Sequence, residues 1–220
     1  MRRKLPSKRT LGVDMGLVSP GAAVIDPESR NMHLFWLRSH VCEPANFSAS
    51  ICKGTFAGWV LHGHCVEREA EAREGKVQLF NRFHDSVNMV TRAAGLVRVE
   101  CIGLEGFAEA YGASKHLIKL RKTQTMLKQL GGCLRMAVSD MGHDWIEIAP
   151  TSVKKKWCGT GKASKEQMYQ AWLDWGFPDL FPLLRLQRKL NKRSGQLTKI
   201  PKPIHDLVDS VAIAVCASSK

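Results

Sequence analysis

Apolar positions along the chain change their period several times, and each change marks an element. Leu11–Met15 is a continuous apolar run that closes on Asp14-Met15-Gly16. After a turn containing Pro20 and Gly21, Ala22–Asp26 forms a second run closed by Asp26-Pro27, and Met32–Leu37 forms a third. Short apolar runs bounded by Gly and Pro read as strands, and two tight connections between three of them predict an antiparallel meander. The period then lengthens. Val77, Phe80, Phe83, Val87, Val90 and Ala94 recur at helical spacing, which predicts a helix over Val77–Gly95. Val97–Leu104 reads as a buried strand that delivers Glu105 at its end, and His116–Met136 as a long basic helix with Leu117, Leu120, Met126 and Leu127 inward. Trp145–Ile148 is a further strand, followed by a Lys-rich connection and a helix from Ser164 to Trp175. Ser164 with Gln167 three residues on is a capping-box signal for that helix. A final helix runs from His205 to Ala217.

Two stretches break these periods. Between about 40 and 75, isolated Pro, Gly, His and Cys interrupt every pattern before Glu67–Lys76 turns charged and helical, which reads as an insertion. Arg185–Lys202 is a basic irregular stretch leading past Pro201 and Pro203. Three strands, helix, strand, helix, strand, helices is the order of an α/β domain with a partly antiparallel sheet. At 220 residues the chain fits a single domain, 1–220, carrying the insertion at 40–75 and the basic loop at 185–202. No internal repeat is visible.

Charge adds a partner. Thirty-three Lys and Arg against twenty Asp and Glu give a formal net charge of +13, and so large an excess points to a polyanion, since each neutralised phosphate releases condensed counterions. The same charge also suits a ribosome-associated or merely basic protein. Seven cysteines, scattered singly, suggest reduced thiols rather than a disulfide framework. No apolar run reaches transmembrane length and no secretory apolar segment follows the first residues. The expectation is an intracellular protein of the cytoplasm or nucleoid. Its basic opening ten residues read as a phosphate-touching arm, with an organelle-targeting remnant as the other reading.

Four carboxylates stand where a fold seldom leaves them. Asp14 follows Leu-Gly-Val on a strand, and Glu105 follows Cys-Ile-Gly-Leu. Asp206 and Asp209 share one side of a helix whose other residues, Leu207, Val208, Val211, Ala212, Ile213, Ala214 and Val215, are apolar. A buried lone charge costs several kcal/mol or neutralises, so such groups need cations or basic partners. Hydrolysis of a phosphodiester by two metals needs hard oxygen ligands that hold the ions roughly 3.5–4 Å apart. Taken singly, Asp14 is equally a turn cap and Asp206 equally a helix N-terminal charge favoured by the dipole. Four acids at three element ends favour the site.

Leu11–Asp26, Cys101–Gly106, Lys154–Tyr169 and His205-Asp206-Leu-Val-Asp209-Ser-Val-Ala-Ile-Ala214 resemble, in that order, the RuvC-type Holliday-junction resolvases, over about half the chain. Asp-x-x-Asp followed by Ala-Ile-Ala is the discriminating piece, because actin-like ATPases also begin on strand-Asp-x-Gly. The resemblance implies a ribonuclease H-like fold, with an antiparallel three-strand meander plus parallel strands flanked by helices. It implies a homodimeric endonuclease that cuts four-way DNA junctions by paired symmetric nicks, using two Mg2+ or Mn2+ ions per active site. Asp14, Glu105, Asp206 and Asp209 match the family's metal-binding acids, and Lys165 matches a lysine near the scissile phosphate. Lys165 also suits an anion site at a helix N-terminus, or an ordinary solvated first turn. The insertion and the basic loop are longer than in compact bacterial members. The family's junction-wedging aromatic has no aligned equivalent, and Phe107 and Tyr111 stand nearest to it, Phe107 being as easily a core residue.

The basic residues Lys115, Lys119, Arg121 and Lys122 beside Glu105, with Lys154, Lys155, Lys156 and Lys162, make a candidate phosphate track. His40, Cys42, Cys52, His62, His64 and Cys65 have the ligand types of a structural zinc site. Without a Cys-x-x-Cys clamp, buried thiols and loop histidines are the favoured reading. Gly159-Thr-Gly-Lys162 is not a P-loop, because Ala163 follows the lysine and Lys156 occupies the upstream glycine position. The alternatives are a relaxed nuclease for forks, flaps or RNA–DNA hybrids, and a non-catalytic DNA-binding protein.

Overall fold

The computed structural model describes residues 5–16, 20–37, 48–49, 58–66, 75–106, 115–184, 186–188 and 200–219. Its strands are β1 (Thr10–Asp14), β2 (Gly21–Asp26), β3 (Asn31–Leu37), β4 (Ser48–Ala49), β5 (Val60–Val66), β6 (Cys101–Glu105) and β7 (Trp145–Ile148). Its helices are α1 (Gly75–Leu96), α2 (Lys115–Asp140), α3 (Pro150–Cys158), α4 (Lys165–Asp174), α5 (Leu180–Leu183) and α6 (Ile204–Ala217).

The strands form one sheet in the order β4-β5-β3-β2-β1-β6-β7. β1, β2 and β3 make the antiparallel meander, while β6 and β7 continue the sheet in parallel from β1. An antiparallel meander joined through its first strand to two parallel strands, with helices on both faces, is the ribonuclease H-like arrangement. Side chains alternate between the faces. Leu11, Val13, Ala22, Val24, Phe35, Ile102 and Leu104 pack with Met89, Val90 and Ala93 of α1 and with Leu130, Leu134 and Val138 of α2. The other face takes Ala23, Ile25, Met32, Leu34 and Trp36, covered by α3 to α6.

On β1 the alternation leaves Gly12 and Asp14 on the α6 face, and on β6 it leaves Gly103 and Glu105 there. α6 lies directly on this floor. A Cβ on Gly12 would lie 3.0 Å from Ala214 Cα and closer still to Ser210 O and Ala214 N. The small residue is what lets the helix backbone approach the strand.

Three segments differ from the sequence-based expectation. The strand expected over Val97–Leu104 begins only at Cys101, because 97–100 complete the turn out of α1. The Lys-rich connection after β7 is a helix, α3. Pro150 opens it, Val153 and Trp157 bury its inner face, and Gly159 closes it with a left-handed φ of 83°. Within the segment read as an insertion, β5 runs parallel to β3 in the register Asn31↔Val60 to Leu37↔Val66, so His62 and His64 lie on a strand rather than a loop. The capping box of α4 is present in both directions: Gln167 N donates to Ser164 Oγ at 3.3 Å, and Ser164 N donates to Gln167 Oε1 at 2.8 Å.

Candidate metal and nucleic-acid site

The parallel register of β1 and β6, Val13↔Leu104, sets Asp14 and Glu105 side by side at the C-terminal ends of the two strands. Both face α6. The first turn of α6 comes down over the same point, since Gly21, the partner of Asp14 across the meander, approaches the Asp206 backbone within contact distance. Asp209 follows one turn later. The four acids thus lie at one end of the sheet, with Asp14 and Asp206 buried and Glu105 and Asp209 half-buried.

Their electrostatics follow from that crowding. Burial, then the charges of Glu105, Asp206 and Asp209, hold Asp14 well above the usual carboxylate range. Glu105 is raised by burial as well, opposed by its hydrogen bond with Asp14 and by Lys154 and Lys165. Asp209 is pushed up to about 7 by burial, then by Glu105 and Asp206, against the pull of Lys165 and Lys154. Like charges this close resist joint ionisation. The hydrogen bond between Asp14 and Glu105 raises Asp14 further and pulls Glu105 down. Among the described residues, no three His, Cys, Asp or Glu side chains surround a common point at ligand spacing.

Lys165, the first residue of α4, reaches the cluster through a residue that the sequence reading passed over. Its Nζ lies 3.0 Å from His205 Nε2 and 3.3 Å from Nδ1. His205 Nδ1 in turn lies 2.6 Å from Asp206 Oδ1. The only sequence signal for His205 is its place next to Asp206 at the start of an apolar helix. Asp206 Oδ2 is buried with no hydrogen-bond partner, and Lys202 Nζ stands 3.9 Å from it.

The predicted phosphate track divides. Lys154, on α3, faces Glu105 and Asp209 closely enough to act on both. Lys155 and Lys162 are exposed on the surface beside it. Lys156 is engaged internally, donating to Val215 O at 3.1 Å and to Ser219 Oγ, so it secures α3 to the end of α6. Lys115, Lys119, Arg121 and Lys122 fall on the first two turns of α2. Phe107 and Tyr111, with His40, Cys42 and Cys52, lie outside the described residues.

The strand geometry separates the remaining zinc candidates. His62 and His64 share a face of β5 with His33 of β3, where His33 Nδ1 lies 3.1 Å from His64 Nε2 and the rings of His33 and His62 stack at 4.5 Å. Burial, with the charges of His62 and His64, pushes His33 down to about 4. Cys65 joins the core of the opposite face, so it does not converge with the two histidines of its own strand.

No protein-family model matches the chain. Over 100 residues it is 32% identical to the crossover junction endodeoxyribonuclease RuvC of Natranaerobius thermophilus, a match covering 46% of this chain and 50% of that protein. The chain thus spans about half the length of the curated relative it matches. Thermus thermophilus RuvC superposes with a TM-score of 0.44 at 18% identity, covering 94% of this chain and 90% of that one. The same protein in complex with Holliday junction substrate gives 0.48 at 18% identity over 94% and 91% of the two chains. The yeast mitochondrial Holliday junction resolvase Ydc2 gives 0.47 at 17% identity, covering 97% and 78%.

Proposed function

We propose that this relative of the RuvC-type resolvases is a divalent-metal-dependent endonuclease that resolves four-way DNA junctions by paired nicks, working as a homodimer. The observation that carries the reading is the convergence of Asp14, Glu105, Asp206 and Asp209 at one sheet end, flanked by Lys154 and Lys165. The residues present fit a hard cation. All four donors are carboxylates, and burial together with mutual repulsion raises three of them. One oxygen, Asp206 Oδ2, is buried without a hydrogen bond. Asp14, Glu105, Asp206 and Asp209 would hold Mg2+ or Mn2+, which when bound supplies activation of the attacking water and stabilisation of the departing oxygen.

The chain's own groups do the rest. Lys165 and Lys154 bring positive charge to the acid cluster, where a scissile phosphate gains negative charge during attack. Exposed Lys155 and Lys162 extend that positive surface away from the cluster and position the DNA backbone without reading its sequence. A four-way junction is two-fold symmetric, and a C2 dimer presents two oriented sites to it.

Nicking of a synthetic four-way junction is compared with duplex, fork and RNA–DNA hybrid, with and without Mg2+, for wild type and Asp14→Asn. The expected result is Mg2+-dependent paired nicking of the junction by a dimer. Asp14→Asn abolishes it, while junction affinity stays within about threefold because Lys and Arg supply it. Cleavage retained by Asp14→Asn removes that residue from the centre. Equal rates on fork and junction by a protein that sediments as a monomer replace resolution with relaxed branch cleavage.

A further inference from the structure

Asp206 stands out among the acids because its two oxygens have different surroundings. Oδ1 is held at 2.6 Å by His205 Nδ1, while Oδ2 has no hydrogen bond although it is sealed from water. An unpaired buried carboxylate oxygen is expensive in the free protein, and this one belongs to the acid cluster. The residue holding the other oxygen is itself buried, at 7% exposure. A neutral imidazole has one donor and one acceptor nitrogen. The short contact assigns Nδ1–H as the donor to Asp206, which leaves Nε2 as an acceptor. Lys165 Nζ, which has only protons to give, lies 3.0 Å from it. Its 3.3 Å distance to Nδ1 as well puts the ammonium over the face of the ring. One ring thus ties the start of α4 to the first turn of α6.

We propose that His205 is a positioning residue of the acid centre: it fixes the Asp206 carboxylate so that Oδ2 is the ligating oxygen, and it anchors Lys165 beside it. The inference rests on reading Asp206 as a metal ligand. Outer hydrogen bonds to ligating side chains orient them, and their loss costs about 10–100-fold in metal affinity or activity. Lys202 does not substitute, since its Nζ is 3.9 Å away on a side chain that is 43% exposed.

The test is Mn2+ binding to the full chain without DNA, followed by calorimetry and by the Mn2+ electron-spin-resonance signal, for wild type, His205→Ala, His205→Asn and His205→Gln. An asparagine amide puts an N–H close to where Nδ1 donates, whereas glutamine reaches toward Nε2. Expected are a loss of Mn2+ affinity of about tenfold or more in His205→Ala and His205→Gln, and a return to within about threefold of wild type in His205→Asn. Thermal melts show which variants fold, and if alanine does not, the Asn–Gln contrast carries the test. A loss under about fivefold in alanine and glutamine alike, or an asparagine variant as weak as alanine, overturns the proposal, because ring bulk rather than the Nδ1 donor would then be what matters. Wild type that binds no Mn2+ overturns it too. Since the series is read without DNA, failure to cut any branched substrate overturns the proposed nuclease activity alone.

Discussion

Gly21→Ala is the substitution that most directly tests how the centre is assembled. Gly21 pairs with Asp14 across the sheet, and a Cβ there would sit 2.5 Å from Asp206 O, 2.7 Å from Asp206 C and 3.3 Å from Asp206 Cβ. Carbon atoms pack at roughly 3.5 Å or more, so the first turn of α6 has to retreat by about 0.8 Å from the sheet end. Neighbouring backbone, unlike the tip of a flexible side chain, cannot give way locally. Overpacking of this kind costs about 1–3 kcal/mol, and for a chain of this size each kcal/mol lowers Tm by about 2–4 °C.

The functional loss should be disproportionate. Withdrawal of Asp206 from Asp14 widens the acid cluster while leaving all four acids, the proposed ligands, present. A misplacement of about 1 Å costs on the order of a hundredfold in rate. Denaturant unfolding, Mn2+ affinity and single-turnover junction nicking are measured on the same preparation. Gly132→Ala in α2 is the control, because nothing lies within 4 Å of its Cβ; a helical glycine so placed gains about 0.5–1 kcal/mol on replacement by alanine. A Gly21→Ala protein within about 0.5 kcal/mol of wild type, with Mn2+ affinity and nicking unchanged, would refute the close approach and its role in setting the acid geometry.

Two further outcomes follow from the same structure. Asp209 holds its proton up to about 7 against an ordinary 3.8, so the folded state binds that proton more tightly than the unfolded chain. Its stabilising contribution is complete below about pH 4 and is lost as the pH rises through about 7; metal-free Tm should therefore fall from acid to neutral pH, Asp209→Asn should flatten the fall, and an Asp209→Asn slope equal to wild type refutes the cause. Neighbouring Lys155 and Lys156 should separate by role. Lys155→Met lowers junction affinity and reduces the salt slope by about one, whereas Lys156→Met leaves binding unchanged and lowers stability by about 0.3–1 kcal/mol through the lost contacts at the end of α6; equal salt slopes for the two variants contradict that division.

Most of what positions the acids is written in local pattern. The apolar runs of β1 and β6 place Asp14 and Glu105 at strand ends, and the apolar residues of α6 make Asp206 and Asp209 conspicuous. The strand β5 was hidden by composition. His62, Gly63, His64 and Cys65 have no strong strand preference, and the order there comes from parallel pairing with β3, which is distant in sequence. α3 was hidden by its lysines: Val153 and Trp157 are a helical pair, but Lys154–Lys156 between them obscure the apolar period, and the Pro150 and Gly159 boundaries went unused. His205 was unreadable for a different reason. Its role depends on α4 and α6 meeting, a tertiary fact that no periodicity carries.

The placement of the acids also explains how a chain with a net charge of +13 can keep a negative centre. Asp14 and Glu105 lie where two adjacent parallel strands end, and the strand positions beneath them, Gly12 and Gly103, are glycines on which α6 lies directly. Four carboxylates there face Lys154 and Lys165, with Lys202 at the margin. Burial first, and then the neighbouring acid charges that two lysines do not offset, hold Asp14, Glu105 and Asp209 all above the usual carboxylate range. Protons are a compensation that a divalent cation can displace, because ligation requires the deprotonated carboxylates. Among the described residues, Lys155 and Lys162 are exposed, where on the proposed function they would attract a phosphate backbone without quenching the acids. On the proposed function, spatial separation of the two signs, rather than net charge, is what would let one surface hold both a cation and a polyanion.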